Sequence, residues 1–295
     1  MLTVGSCGSH GRSSLQLCYM PRSMSFGPPA SLGSTLPPGT LQQGSGEPLI
    51  LLHGVMGTPL MWSETMPLLA ASHRVIALAA LGHHGGRACT QRPCRIQHVV
   101  DDAERSLDAL GLSRAHIAGN SMGGWMALEL ARRGRAKTVC ALSPAGLWDA
   151  KDPFDGRSRL NATLHLTRWT RATLPWAARS AAVRRFALRD SALHGERIAP
   201  ESLIALADAL LGCQVSADLL DTPEQLEPLE VTCPTDVIWS GADRIFPLKP
   251  FAEIAKQRVL GARHVVLDDV GHVPMLDAPE RVANAILTTV ARASL

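Results

Sequence analysis

The sequence has little net charge and no long apolar segment. Its 295 residues carry a formal net charge of only +3, which is too small to indicate binding to nucleic acid. No apolar run approaches the roughly 18 residues of a membrane-spanning helix. The first 25 residues also lack the uninterrupted apolar core of a secretory signal peptide. We therefore expect no nucleic-acid partner, no transmembrane segment and a cytoplasmic location.

Cysteine is infrequent and odd in number. Seven cysteines spread over the chain fit a reducing compartment with free thiols, although Cys89 and Cys94 could pair in an oxidising one. His83 and His84 precede these two cysteines and together resemble a loose zinc-ligand set. No second cysteine pair completes a structural zinc site, so the sequence favours a polar loop with two free thiols. We expect no metal and no cofactor.

Hydrophobic residues make up 46% of the chain, which is enough for one large α/β domain. Residues 1–46 differ from the rest because serine, glycine and proline dominate them, and such a composition buries little surface. This pattern predicts a flexible N-terminal segment over 1–46. A short edge strand within it is indicated near Leu15–Tyr19 or Thr40–Gln43.

Short apolar runs alternate with helical patterns over most of the remaining chain. Strands are predicted at residues 48–52, 75–78, 115–118, 138–142, 236–239 and 264–267. Continuous apolar runs of this kind are typical of strands buried on both faces, as in a parallel sheet. The alternation predicts a core of residues 47–145 and 228–295, closed by an amphipathic helix at Pro279–Ala291. Residues 146–227 show helical patterns alone and predict a helical cap.

The most informative motif is Gly-x-Ser-x-Gly, with Gly119, Ser121 and Gly123 as its fixed positions. The apolar run Ala115–Ala118 before it predicts a strand, and Trp125–Ala131 after it consists of good helix formers. A serine on a strained turn between a strand and a helix is a nucleophile elbow, and its neighbours two positions away must lack bulk. The motif therefore predicts that Ser121 is a nucleophile.

A serine nucleophile needs a base, and the base needs an acid that orients it. Asp243 and His272 each follow a predicted strand, where catalytic residues of parallel sheets gather. Asp268 and Asp269 are substitutes for the acid, while Asp236 lies at the start of its strand, the wrong end. The expected triad is therefore Ser121, His272 and Asp243.

Four segments in this order resemble the α/β-hydrolase family over about residues 44–295. They are His53-Gly54 after the first buried strand, the elbow Gly119–Gly124, the loop Gly241–Pro247, and Gly271–Pro274 before Ala278-Pro279-Glu280. The resemblance implies a doubly wound, mostly parallel sheet with a helical cap inserted after the sixth strand. It also implies a Ser121–His272–Asp243 triad.

The same resemblance implies an oxyanion hole formed by the backbone N–H groups of Val55 and Met122. Residues that give the elbow and the oxyanion loop their structure would be His53, Gly54, Gly119 and Gly123. Backbone donors of this kind stabilise negative charge as it forms on the substrate oxygen.

The expected function is a serine hydrolase that cleaves an ester or similar acyl bond of a small molecule without a cofactor. A serine nucleophile argues against the dehalogenase and epoxide-hydrolase branches of the family. The elbow also looks like that of carbon–carbon bond hydrolases acting on ring-cleavage products, but Gly54-Val55-Met56-Gly57 lacks their Gly-Pro-Gly loop. A cofactor-free perhydrolase and a non-catalytic ligand receptor are the remaining alternatives.

The predicted cap is strongly basic. Between residues 157 and 197 there are nine arginines and two acidic residues, Asp190 and Glu196, a local formal charge of +7. A charge run of this kind is usually a solvated helical face. Tryptophan, phenylalanine and leucine are interleaved with the arginines, which leaves open a weak interaction with anionic surfaces or a preference for anionic substrates.

Overall fold

A computed structural model describes residues 36–148 and 156–294 of the chain. Its central sheet has seven strands: β1 Leu41–Gln43, β2 Glu47–Leu52, β3 His73–Leu78, β4 Ala115–Asn120, β5 Ala136–Leu142, β7 Thr235–Ser240 and β9 Arg263–Leu267. Their spatial order is β1-β3-β2-β4-β5-β7-β9. A separate pair consists of β6 Leu229–Glu230 and β8 Val259–Leu260.

The sheet is parallel except at one edge, where β1 pairs antiparallel with β3. Its inner strands are buried over nearly their whole length, as the unbroken apolar runs predict. The predicted doubly wound, mostly parallel sheet is confirmed. β1 lies in the second of the two ranges proposed for an edge strand, and the first, Leu15–Tyr19, lies outside the described residues.

Helices cover both faces of the sheet. They are α1 Met66–Leu69, α2 Ile96–Ala109, α3 Met122–Arg132, α9 Leu248–Arg258, α10 Pro274–Asp277 and α11 Pro279–Ala291, with 3-10 turns at Pro59–Trp62 and Arg292–Ser294. One core layer packs Leu107 of α2 and Leu128 of α3 against the sheet. The other packs Leu69 of α1 and Ile286 of α11 against the opposite face. Because the strands from β3 to β9 in this sheet are parallel, the loops after their carboxyl ends lie at one edge of the sheet.

A helical insertion separates β5 from β6. It comprises α4 Gly156–Thr170, α5 Leu174–Ala177, α6 Ala181–Ala187, a 3-10 turn at Gly195–Arg197, α7 Pro200–Leu211 and α8 Ser216–Leu220. Its helices form a small apolar cluster of their own, with Leu174, Leu188 and Leu203 buried in it. Among the described strands the insertion follows the fifth, where the resemblance implied the sixth. In the described ranges, every helix is too short or too polar to serve as a membrane span.

Candidate active site

Ser121 lies between the end of β4 and the start of α3, with φ 57° and ψ −119°. A serine in this left-handed region is strained, and its surroundings must hold it there. A Cβ on Gly119 would lie 2.1 Å from the carbonyl oxygen of Gly123, and a Cβ on Gly123 would lie 2.2 Å from that of Leu52. Only glycine fits either position, so the two motif glycines permit the tight strand-to-helix turn that carries Ser121.

Asp243 lies on the loop after β7 and is held by its backbone neighbours. Its Oδ1 accepts hydrogen bonds from the N–H groups of Ile245 at 2.9 Å and Phe246 at 2.8 Å. Its Oδ2 accepts a 2.8 Å hydrogen bond from Nδ1 of His272. Both side chains are buried. Asp268 and Asp269, the alternative acids, are exposed, and His272 pairs with Asp243 instead.

The loop that carries His272 is fixed at several points. Asn120, next to Ser121, donates from its side-chain amide to the His272 carbonyl at 2.8 Å. The N–H of Val273 donates to the carbonyl of Ser191 in the insertion at 2.8 Å. The ring of Phe246 packs edge-on against the imidazole, with 5.1 Å between centroids. Because Nδ1 donates to Asp243, Nε2 is the nitrogen that remains to accept a proton.

Ser121 and His272 line one cavity of about 250 Å³ between the sheet and the insertion. No hydrogen bond joins their side chains in the described part of the chain, and such bonds often tighten only when substrate binds. Apolar side chains dominate the wall, among them Met61, Val273 and Leu276 from the core and Leu166, Leu203 and Leu210 from the insertion. The cavity is therefore suited to a largely apolar small molecule.

Val55 and Met122 stand beside the serine. Val55 lines the same cavity as Ser121, in a turn closed by a 3.0 Å hydrogen bond from Gly57 N–H to the Gly54 carbonyl. Met122 is the first residue of α3, where backbone N–H groups have no partner inside the helix. The oxyanion hole itself stays a prediction from the family resemblance.

His53 joins the oxyanion loop to the neighbouring strand. Its Nδ1 donates to the Gly54 carbonyl at 2.8 Å, and its Nε2 accepts from the N–H of Ala80 at 3.0 Å. Burial, with a smaller contribution from His83, lowers the pKa of His53 to about 3. The imidazole is therefore neutral near pH 7. Because both of its nitrogens are hydrogen-bonded to backbone groups, His53 stabilises the loop and does not take part in the chemistry.

The thiols do not assemble with the two histidines considered as zinc ligands. His83 is buried against His53, at 5.2 Å between ring centroids, and His84 is exposed. Cys89 and Cys94 are free thiols that lie instead with His98, with candidate ligand atoms within 4.8 Å of one another. Burial, together with the neighbouring Cys89 thiol, raises the pKa of Cys94. The absence of a metal stays a prediction.

Asp277, which was not among the predicted site residues, joins the histidine loop to the insertion. Its Oδ2 accepts hydrogen bonds from Gly271 N–H at 2.7 Å and Leu193 N–H at 2.8 Å, and its Oδ1 accepts one from His194 N–H at 2.8 Å. The partners in the insertion are more than 80 residues away. Nothing in the local sequence around Asp277 signals such a contact.

Comparison with known proteins agrees with this architecture. The model of the alpha/beta hydrolase family matches residues 49–285. Epoxide hydrolase EphH of Mycobacterium tuberculosis is 33% identical over 201 residues, which are 65% of this chain and 93% of that protein. Lipase 3 of Moraxella sp. TA144 is 26% identical over 81% of this chain and 76% of its own length. A meta-cleavage product hydrolase from Pseudomonas fluorescens IP01 superposes with a TM-score of 0.66 at 23% identity, covering 86% of this chain and 94% of its own.

Proposed function

The chain belongs to the α/β hydrolase family, and we propose that it is a serine hydrolase acting on an ester or similar acyl bond. One observation carries the proposal. A serine on a strained elbow shares a cavity with a histidine whose other nitrogen is held by a buried carboxylate. This combination activates a hydroxyl group for attack on a carbonyl.

In the proposed mechanism, Ser121 attacks the substrate carbonyl while His272 accepts its proton at Nε2. Asp243 keeps the imidazole in the required tautomer and stabilises its charged form. The N–H groups of Val55 and Met122 stabilise the oxyanion, each contributing about 3 kcal/mol to lowering the barrier. His272 then protonates the leaving group. A water molecule next attacks the acyl-enzyme while His272 accepts its proton, and His272 returns a proton to Ser121 as the acid is released.

We also propose that the insertion, within residues 146–227, acts as a cap over the site, and that residues 47–145 and 228–295 form the core. Several insertion side chains line the wall of the cavity that contains Ser121. Among the described residues of that wall, Arg189 is the charged one, and its guanidinium lies 3.7 Å from Asp190 and 4.3 Å from the ring of Phe186. A neutral substrate suits such a wall better than an anionic one.

One relative is named an epoxide hydrolase, and the chemistry of the nucleophile separates that reaction from acyl hydrolysis. A carboxylate that opens an epoxide forms an ester, which water can hydrolyse at its carbonyl carbon. A serine that opened an epoxide would form an ether, which offers water no carbonyl. Because Ser121 occupies the elbow, acyl hydrolysis is the function supported. Turnover of epoxides without turnover of esters would contradict it.

The test is hydrolysis of a series of 4-nitrophenyl esters by the purified protein. Ser121→Ala should lower kcat by about three orders of magnitude or more while the protein stays folded. Ser113→Ala, at an exposed serine, is the matched control and should hydrolyse like the wild type. Hydrolysis by Ser121→Ala at a rate within about tenfold of the wild type would contradict the assignment of Ser121 as the nucleophile.

The same preparation distinguishes the other candidates. Cleavage of a ring-cleavage product at a carbon–carbon bond, without ester turnover, would favour the carbon–carbon hydrolase interpretation. Binding of esters without any turnover would favour a receptor. Formation of a peracid from an ester and hydrogen peroxide would add perhydrolase activity to the same serine.

A further inference from the structure

A second, smaller cavity reaches Ser121 from another side. Its volume is about 40 Å³, against about 250 Å³ for the large cavity. The two cavities share Val55, Ser121 and Leu160 in their walls. The small one continues between Trp125, Trp148, Phe246 and Leu219.

We propose that these two cavities divide the substrate at its scissile bond, and that the preferred substrate is an ester of a short-chain acid with a large apolar alcohol. The inference rests on the proposed function. A carbonyl carbon attacked by Ser121 carries its oxygen and two further substituents. With the oxygen at the N–H groups of Val55 and Met122, the substituents must extend in two directions, and two cavities of unequal size meet there.

The position of His272 decides which substituent enters which cavity. The oxygen of the leaving alcohol must accept a proton from Nε2 of His272, so the alcohol has to lie on the side of the imidazole. His272 is part of the wall of the large cavity, and the described wall of the small cavity does not include it. The alcohol therefore occupies the large cavity and the acyl group the small one.

One side of the small cavity consists of aromatic rings that pack against one another. Trp125 and Trp148 pack edge-on with 5.7 Å between ring centroids, and Trp148 stacks on Phe246 at 6.2 Å. Phe246 is held in turn through its backbone, because its N–H donates to Asp243 and its carbonyl accepts from Trp239 Nε1 at 2.9 Å. Close-packed aromatic walls do not expand without cost, so a long acyl chain is excluded.

The wall of the large cavity is apolar and contains a row of hydroxyl groups. Thr163, Thr167 and Thr170 lie on one side of α4 at helical spacing, and all three line the cavity. Leu166 and Phe186, which also line it, are 40% and 57% exposed. This surface is suited to a bulky or long alkyl alcohol whose far end reaches the cavity mouth.

The test compares two esters of identical composition, octyl acetate and ethyl octanoate, with the wild-type protein. The proposal predicts a kcat/KM for octyl acetate at least about tenfold higher, because a few methylene groups in or out of a fitted pocket carry that much discrimination. Equal values, or a preference for ethyl octanoate, would overturn the division while leaving the serine hydrolase intact. Hydrolysis of neither ester, nor of 4-nitrophenyl acetate, would overturn the proposed function and this inference with it.

A pair of matched variants locates the acyl site. Leu219→Ala enlarges only the small cavity, and Leu210→Ala enlarges only the large one. Leu219→Ala should raise kcat/KM for butyl hexanoate relative to butyl acetate about tenfold, while Leu210→Ala leaves that ratio near the wild-type value. A shifted ratio in Leu210→Ala alone would place the acyl group in the large cavity and contradict the inference.

Discussion

At the scale of single residues, the carboxylate of Asp243 divides its two oxygens between the backbone and the imidazole. Oδ1 accepts hydrogen bonds from two backbone N–H groups, and Oδ2 accepts one from Nδ1 of His272. The side chain cannot rotate without leaving buried donors unsatisfied. Its orientation, and through it the tautomer of His272, is set before substrate arrives.

This division makes Asp243→Asn an informative substitution. The new amide should turn its carbonyl toward the two backbone N–H groups and its NH₂ toward Nδ1 of His272. Nδ1 must then accept a hydrogen bond from this NH₂ group, so the ring proton lies on Nε2 and Nε2 cannot act as a base. We expect kcat to fall by about four orders of magnitude with little change in KM.

Asp268→Asn is the matched control for that experiment, because Asp268 is exposed and close to His272 in sequence. Its steady-state rates should equal those of the wild type. Loss of activity in Asp268→Asn or Asp269→Asn, with Asp243→Asn unaffected, would mean that the acid has been misplaced.

At the scale of elements, the insertion and the histidine loop are joined through Asp277, which accepts from three backbone N–H groups. Asp277→Ala would leave these donors unsatisfied and should destabilise the fold by at least about 2 kcal/mol. It should also lower kcat more than it raises KM, because the loop that positions His272 is released. Thermal denaturation and ester kinetics measure the two effects.

Glu280→Ala, at an exposed position shortly after Asp277, serves as the control and should change stability and kcat little. Unchanged kcat and melting temperature in Asp277→Ala would show that the insertion does not hold the histidine loop.

Most of the sheet could be predicted from sequence because its inner strands are buried on both faces and therefore read as unbroken apolar runs. The run Val75–Leu78 predicts the last four residues of β3, and in the structure the strand begins two residues earlier, at His73. The positions of Ser121, Asp243 and His272 followed from their places after such strands. Asp277 could not be found in this way, because its partners belong to another element and share no periodicity with it.

The same limit applies to the loop that carries the free thiols of Cys89 and Cys94. Sequence spacing offers His83 and His84 as possible companions of Cys89 and Cys94, but in the structure the candidate ligand atoms of His98 and the two thiols lie within 4.8 Å of one another. His98 sits in the first turn of α2, where its Nδ1 accepts from the N–H of Arg95.

At the scale of the whole molecule, the positive charge of the insertion is smaller than its sequence indicates. Arg157 pairs with Asp221 at 3.2 Å and Arg171 with Asp208 at 2.6 Å. Both acids lie beyond the residue range that gave a local charge of +7. The remaining feature that favours binding to a surface is apolar: the side chains of Trp169 and Trp176 are 86% and 76% exposed.

We propose that the insertion binds weakly to anionic surfaces through its partly exposed arginines and the two tryptophans. Vesicles containing phosphatidylserine should bind the protein at low salt and release most of it at high salt, because screening shortens the reach of the arginines to about 3 Å at 1 M. Sedimentation with vesicles measures the bound fraction.

Trp169→Ala combined with Trp176→Ala should weaken that binding several-fold, while Leu60→Ala, at an apolar residue outside the insertion that is 46% exposed, should not. Equal binding to vesicles of neutral phosphatidylcholine, or equal loss in all variants, would leave a solvated helical face as the better interpretation.

We propose above all that Ser121 is a nucleophile activated by His272. Reaction of the purified protein with a fluorophosphonate, followed by mass spectrometry of its peptides, tests this most directly. We expect a single phosphonylated site at Ser121, formed rapidly in the wild type and much more slowly in His272→Ala. A protein that remains unlabelled, or one labelled at another serine with Ser121 unmodified, would contradict the claim.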